Sequence, residues 1–100
     1  MNNENSLCLH YAVKDPNNKS LVQQLLTNGL DVNIKDSNQS TPLHLAMEIK
    51  DNTDIIKLLL ENNADKEAKD KYQYTPLFNG VSHKNISNIQ LLLEHKADIK

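Results

Sequence analysis

Four histidines and a single cysteine are the strongest candidates in this sequence for zinc binding or nucleophilic chemistry. His10 and His44 are 34 residues apart, and the same spacing recurs elsewhere in the chain. Neighbouring helices of a stacked repeat lie about 8 to 10 Å apart, whereas zinc needs ligand nitrogens at about 2.0 to 2.1 Å. The pair therefore cannot share one zinc ion. His83 and His95 have no second ligand at a metal-like spacing, so we interpret them as surface residues.

Catalytic chemistry has equally little support in the residue pattern. Cys8 falls where a helix is expected to begin, but an activated nucleophile also needs a general base, and none lies nearby in the sequence. Gly29 and Gly80 are the only glycines, so the chain has no glycine-rich phosphate loop. The acids between residues 61 and 70 alternate with lysines, as on a solvated face and not as in a calcium loop. The sequence predicts no catalytic residue, no metal site and no cofactor.

Composition narrows the classes of function further. The chain has 13 acids against 11 lysines, no arginine and a net charge of -2, so it has no basic excess for a nucleic-acid backbone. Its longest apolar runs are triplets, far short of the roughly 20 residues of a membrane span, and no signal pattern begins the sequence. A single cysteine agrees with a reducing compartment. We expect a soluble monomer in the cytoplasm that binds neither nucleic acid nor membrane, with a nuclear location or delivery into a host cell left open.

The sequence repeats itself with a period of 33 to 34 residues. At a shift of 34, Leu-His-Tyr-Ala at 9–12 aligns with Leu-His-Leu-Ala at 43–46, and Thr-Pro-Leu at 41–43 aligns with Thr-Pro-Leu at 75–77. Residues 21–31 align with residues 55–65 at the same shift, and a third copy of that segment ends at Asp98. Such a period is typical of arrays in which each unit packs against its neighbours.

Each unit is predicted to contain two short helices followed by an extended loop. Thr41-Pro42 and Thr75-Pro76 predict two helix starts, because threonine caps a helix and proline is accepted at its first position. Apolar residues spaced three and four apart predict one buried face on each second helix. They are Leu21, Val22, Leu25, Leu26, Ile55, Ile56, Leu59, Leu60, Ile86, Ile89, Leu92 and Leu93. Candidate caps near the starts of these helices are Ser20, Thr53, Asp54, Ser87 and Asn88.

These residues resemble the ankyrin repeat. The Thr-Pro-Leu-His-Leu-Ala motif of that family is complete at 41–46, partial at 9–12 and reduced to Thr-Pro-Leu at 75–77. The resemblance implies an all-α fold, an ankyrin-repeat solenoid of about three helix-turn-helix units joined by hairpin-like loops. We expect one domain over residues 1–100, with unit one at about 2–35, unit two at 36–69 and unit three at 70–100.

The resemblance also assigns expectations to single residues. It gives His10 and His44 a structural role, in which each hydrogen-bonds the backbone of the adjoining hairpin. The family's glycine at the hairpin tip is replaced here by Gln39 and Gln73. In unit three, Phe-Asn-Gly at 78–80 stands in place of His-Leu-Ala, so we expect a less regular helix there, with its asparagine exposed to solvent.

By the same resemblance the leading function is a non-enzymatic protein-protein interaction module, which binds another protein through the hairpin tips and the concave face of the first helices. The positions that carry the family's variable contacts are Lys14, Asp15, Ser37, Asn38, Ser40, Glu48, Ile49, Lys71, Tyr72, Tyr74, Ser82 and His83. Tyr72 and Tyr74 are the strongest candidates, because tyrosine is enriched among the residues that dominate interfaces. One alternative is a targeting fragment of a larger protein with an effector, adaptor or catalytic domain beyond Lys100. A weaker one is an enzyme that uses Cys8 with a histidine.

Overall fold

The computed structural model describes the backbone of residues 3–97 and the side chains of residues 8–95. Within these residues the chain forms six α-helices, one 3₁₀ turn and no strand, in agreement with the all-α prediction. The helices are α1 (Asn3–Ala12), α2 (Lys19–Thr27), α3 (Pro42–Met47), α4 (Thr53–Glu61), α5 (Pro76–Ser82) and α6 (Ile86–Ala97). The 3₁₀ turn, Pro16–Asn18, leads into α2. Residue 2, Asp98 and Lys100, which the sequence analysis assigned to units one and three, lie outside the described residues.

The first helices of units two and three begin at the predicted prolines. Before α3, the Thr41 hydroxyl oxygen accepts a hydrogen bond from the His44 backbone N–H at 3.3 Å, and His44 Nδ1 accepts one from the Thr41 N–H at 3.1 Å. This reciprocal pair satisfies two donors that the start of a helix otherwise leaves open. Thr75 has the same extended backbone before α5 but forms no side-chain cap. Phe78, in the position of His44, has no ring nitrogen that could return such a bond.

The first helix of unit one begins earlier than the alignment predicts. Leu7 and Cys8 occupy the positions of Thr41 and Pro42. A proline disfavours the helical conformation of the residue before it, and Cys8 does not impose this restriction on Leu7. The helix therefore extends back to Asn3. Cys8 is exposed inside this helix and does not lie at its start. The expectation of a cysteine at a helix N-terminus is wrong.

Each helix of unit two packs between its counterparts in units one and three. Besides contacting each other, α3 packs against α1 and α5, and α4 packs against α2 and α6. The largest fully buried apolar side chains come mainly from unit two, and they are Leu9, Val13, Val22, Leu43, Met47, Ile55, Ile56 and Leu59. The core therefore runs along the array and has its densest part at α3 and α4.

The predicted apolar face of the second helices is completely buried in α4 but not in α2 or α6. Leu21, Ile86 and Leu93 are exposed, although the sequence pattern placed them on the buried face. The pattern identifies the apolar side of a helix, but burial needs a neighbour on that side. Because α2 and α6 each pack against α4, their apolar residues that point away from α4 stay in contact with solvent.

Asparagine amides connect successive units at the turns between the two helices. The residues before α2 and α4 are Asn18 and Asn52, and neither forms a side-chain cap; the predicted hydroxyl caps are not used. Instead, Asn52 Nδ2 donates to the Val13 carbonyl oxygen at 2.9 Å, and Asn85 Nδ2 donates to the Met47 carbonyl oxygen at 2.9 Å. Val13 directly follows α1 and the equivalent Met47 ends α3, so each bond joins a turn to the carboxyl end of the first helix of the preceding unit.

Candidate functional site

The two loops between units end in tight turns with the same hydrogen bonds. We call residues 36–40 the first tip and residues 70–74 the second tip. The Asp36 carboxylate accepts bonds from the backbone N–H groups two and four residues later, at 2.8 and 3.0 Å. Asp70 accepts the equivalent bonds at 2.9 and 3.0 Å. In both tips the aspartate N–H also donates to the carbonyl oxygen four residues later, which is that of Ser40 in the first tip and Tyr74 in the second, at 3.0 Å in each case. An aspartate at the start of each turn therefore fixes which side chains the tip displays.

The tips have a left-handed residue at the position where the ankyrin family carries glycine. Gln39 has φ 64° and Gln73 has φ 70°, a backbone region that glycine adopts more readily than glutamine does. The two tips are also joined directly, because the Lys71 N–H donates to the Asn38 carbonyl oxygen at 3.0 Å. The second tip is thus held in register beside the first.

Two buried histidines hold the tips against the helices. His10 Nε2 lies 2.8 Å from the carbonyl oxygen of Ser40, and His44 Nε2 lies 2.8 Å from that of Tyr74. A carbonyl oxygen only accepts, so both histidines donate from Nε2. This confirms the structural role that the resemblance implied for them. The backbone of Tyr74 is therefore fixed while its side chain stays exposed.

The exposed side chains of the second tip form part of a row of aromatic rings. The ring centroids of Tyr72 and Tyr74 are 5.8 Å apart, and the Tyr74 ring stacks on the Phe78 ring at 4.1 Å with an angle of 21°. We call these three residues the aromatic row. Lys71 Nζ lies 5.3 Å from the centroid of the Tyr72 ring. All four aromatic residues of the chain, the fourth being Tyr11, are exposed, so aromatic area is displayed and not used in the core.

The aromatic row forms one wall of an open groove between units two and three, with a volume of about 370 Å³. Seven of the twelve predicted contact residues line it, namely Asn38, Ser40, Glu48, Tyr72, Tyr74, Ser82 and His83. The other lining residues are Leu45, Asp70, Phe78 and Asn79. Ser40 is buried, so most of its area is unavailable to a partner. The tips supply one side of the groove, and α3 and α5 supply its floor and the other side.

The floor of the groove carries a carboxylate that is held in place. Asn79 Nδ2 donates to Glu48 Oε2 at 2.9 Å and to the His44 carbonyl oxygen at 3.2 Å. The prediction that Asn79 faces solvent is wrong: it is buried, because its amide bridges the first helices of units two and three. Beside it, His83 Nδ1 lies 2.9 Å from the Asn79 carbonyl oxygen and donates to it. Since Nδ1 carries the hydrogen, Nε2 of a neutral His83 is an acceptor.

The other five predicted contact residues lie outside the groove. Ser37 and Lys71 are exposed on the tips, and Ile49 is half-buried after α3. Lys14 and Asp15 are exposed in unit one, where Lys14 Nζ lies 5.7 Å from the centroid of the Tyr11 ring. The Asp15 carboxylate accepts a hydrogen bond from the Asn17 N–H at 2.9 Å and so caps the 3₁₀ turn.

Sequence reasoning missed Phe78, which extends the tyrosine pair into a row. It occupies the position of His10 and His44, so the alignment marked it as an irregularity of a structural site. The signal that could have found it is clustering, because three of the four aromatic residues of the chain fall within residues 72–78.

Among the residues that the structure describes, no three His, Cys, Asp or Glu side chains lie close enough together to hold a metal ion. Between residues 3 and 97, no helix combines the length and the apolar character needed to cross a bilayer.

A family model described as ankyrin repeats, three copies, matches residues 9–100. The chain belongs to the ankyrin-repeat family. Ankyrin repeats are generally protein-interaction modules and are typically non-catalytic. The chain has no significant match among curated proteins.

Proposed function

We propose that this chain binds another protein through the groove between units two and three, with the aromatic row as the main contact. The observation that carries the proposal is the exposure of Tyr72, Tyr74 and Phe78 together on one wall of that groove. Clustered apolar rings in contact with water are typical of interaction sites. Aromatic side chains supply large contact areas and dominate many interfaces.

The rigidity of the site supports the same proposal. The second tip is fixed by the Asp70 carboxylate, by the His44 bond to the Tyr74 carbonyl oxygen and by the Lys71 bond to the first tip. A surface that is ordered before binding loses less conformational entropy when the partner arrives. The hydrogen bonds within the second tip therefore favour binding, because they order the loop before the partner arrives.

In this proposal the three units form one solenoid domain that acts as a cytoplasmic monomer. The packing of α3 against both α1 and α5 supports a continuous array. Light scattering during size-exclusion chromatography should give a mass near 11.4 kDa. A mass of twice that value would contradict this part of the proposal.

Photo-crosslinking tests the site directly. p-Benzoylphenylalanine replaces Tyr72 in one variant and Tyr11 in a second, and both variants are irradiated in extracts of the source cells. Tyr11 is the matched control, because it is a tyrosine of similar exposure (67 % against 61 %) that lies outside the groove. The proposal expects a crosslinked protein, identified by mass spectrometry, at position 72 and not at position 11. Crosslinking of the same protein at position 11 alone, or equally at both positions, would move the site away from the groove.

A further inference from the structure

The groove carries negative charge beside its aromatic wall. Its lining includes the carboxylates of Glu48 and Asp70 and no lysine. The Asp70 side chain is buried and accepts two bonds from its own tip, whereas Glu48 is half-buried. Among the described side chains no lysine forms an ion pair with Glu48, and the hydrogen bond it accepts comes from the neutral amide of Asn79. An ionised carboxylate has about four acceptor sites, so Glu48 keeps acceptor capacity toward the groove.

The aromatic row offers a second feature that attracts a cation. The faces of aromatic rings are electron-rich, and a cation within about 6 Å of a ring centroid is attracted to them. Lys71 Nζ already lies at 5.3 Å from the Tyr72 centroid, outside the groove lining. The row thus interacts with one cation at Tyr72, while the rings of Tyr74 and Phe78 are exposed and line the same groove as Glu48.

We propose that the groove recognises an arginine side chain of the partner protein, an inference that rests on the proposed function and specifies its partner. A guanidinium group is planar, stacks on aromatic rings and pairs with a carboxylate through two parallel N–H donors. The aromatic row provides the stacking surface, Glu48 accepts the donors, and Nε2 of a neutral His83 is a further acceptor in the groove lining. Asn79 is a positioning residue, because its amide fixes the Glu48 carboxylate.

The commitment to arginine and to a different protein follows from chemistry and composition. Lysine presents a compact and strongly hydrated charge that neither stacks nor pairs bidentately. The chain contains 11 lysines and no arginine, so a second copy of it cannot supply the guanidinium group. The occupant is therefore an arginine-bearing segment of another protein.

The test measures amide chemical shifts of the full chain during titration with three acetylated and amidated tripeptides, Ala-Arg-Ala, Ala-Lys-Ala and the neutral isostere with citrulline. We expect saturable shifts for the arginine peptide at residues 48, 72, 74, 82 and 83. Its affinity should exceed that of the citrulline peptide by about tenfold, since the stronger charge-assisted bonds are lost with citrulline. Raising the salt concentration should weaken the binding of the arginine peptide and leave that of the neutral citrulline peptide unchanged.

Two charge-neutralising variants locate the carboxylate. Glu48→Gln should lower the affinity for the arginine peptide by about tenfold, while leaving that for the citrulline peptide unchanged. Glu61→Gln is the matched control, because Glu61 is an exposed acid outside the groove and undergoes the same substitution, and it should bind as the wild type does.

The inference would be overturned if the arginine peptide bound no more tightly than the citrulline peptide or no more tightly than the lysine peptide. It would also be overturned if the groove residues showed no saturable shifts at about 20 mM peptide, because a complex with a millimolar Kd is mostly formed at that concentration. If the arginine peptide fails while position 72 still crosslinks to a partner, the choice of arginine is wrong and the binding site stands. If crosslinking at position 72 also fails, the proposed function is wrong as well.

Discussion

Units two and three have aligned sequences but differ in what covers them. Met47 is completely buried and its counterpart Val81 is 54 % exposed; Leu60 is 9 % exposed and its counterpart Leu93 is 46 % exposed. All four side chains are apolar, so residue type does not explain the difference. The helices of unit two pack against units on both sides, whereas those described in unit three pack against unit two. In this array a side chain is buried only where a neighbouring unit covers it, as expected for stacked repeats.

The same comparison explains where the candidate site lies. His44 is buried and reaches the tip of the next unit, whereas Phe78 in the equivalent position is exposed and stacks on the Tyr74 ring. Leu45 is half-buried at the edge of the groove, and its counterpart Asn79 fixes Glu48. The groove therefore forms where unit three departs from the repeat motif, and the departures supply its chemistry.

The largest predicted effect is the loss of a core side chain from unit two. Leu59→Ala should lower the free energy of unfolding by about 2 to 5 kcal/mol, because a fully buried leucine leaves a cavity. Leu93→Ala is the matched control in α6 and should cost less than about 1 kcal/mol, since that side chain is already half in contact with water. Urea denaturation of both variants measures the difference. Equal losses would show that unit three is packed as tightly as unit two.

The next effect concerns the histidine that holds the second tip. His44→Ala removes the donor to the Tyr74 carbonyl oxygen and the acceptor for the Thr41 N–H, which should cost about 1 to 3 kcal/mol. His83→Ala serves as the control, because His83 is exposed and should change stability by less than about 0.5 kcal/mol. The same denaturation assay applies, and a loss below about 0.5 kcal/mol for His44→Ala would contradict the structural role of this histidine.

A smaller effect is expected at Gly80, the counterpart of Ala46. A Cβ atom at Gly80 would lie 2.6 Å from Met47 Cε and 3.2 Å from Ile89 Cγ1. Alanine improves helix propensity by about 1 kcal/mol, but overpacking costs about 1 to 3 kcal/mol. We therefore expect Gly80→Ala to destabilise the protein by about 1 kcal/mol and not to stabilise it.

The control for this prediction is the same substitution in a Met47→Val background, since Val13 is the equivalent of Met47 in unit one. There the alanine should be tolerated, and a double-mutant cycle measures the coupling. A gain of about 1 kcal/mol for Gly80→Ala in the wild type would show that helix propensity outweighs the contact.

Much of the fold follows from the repeat register. The threonine-proline pairs at the repeat spacing predicted the starts of α3 and α5, whereas the bonds of His10 and His44 to the tips and the all-α class were implied by the resemblance to the ankyrin repeat. The register could not predict that Leu21 or Leu93 is exposed, because a periodic pattern shows which side of a helix is apolar and not whether another helix covers it. It also missed the role of asparagine between units, because an asparagine in a turn is equally typical of a local cap.

The resemblance predicted the part of the candidate site that lies at the family's contact positions. It did not predict the part formed by residues that replace those of the family motif. Tyr72, Tyr74, Glu48 and His83 lie on one groove as the register suggests. The sequence analysis interpreted Asn79 as a polar residue exposed to solvent. In the fold its amide group donates to two acceptors, the His44 carbonyl oxygen and the Glu48 carboxylate. The pairing of Asn79 with Glu48 joins residues 31 apart, so it could be found only from the packing of α3 against α5.

In the proposed function the aromatic row binds the partner and is not part of the folded core. The measurement is the affinity of the crosslinked partner for Tyr72→Ser/Tyr74→Ser, by calorimetry, together with the free energy of unfolding of the same variant. We predict an affinity at least about 30-fold lower, which corresponds to about 2 kcal/mol, with stability changed by less than about 0.5 kcal/mol. Unchanged affinity in a folded variant, or a variant that does not fold, would contradict the claim.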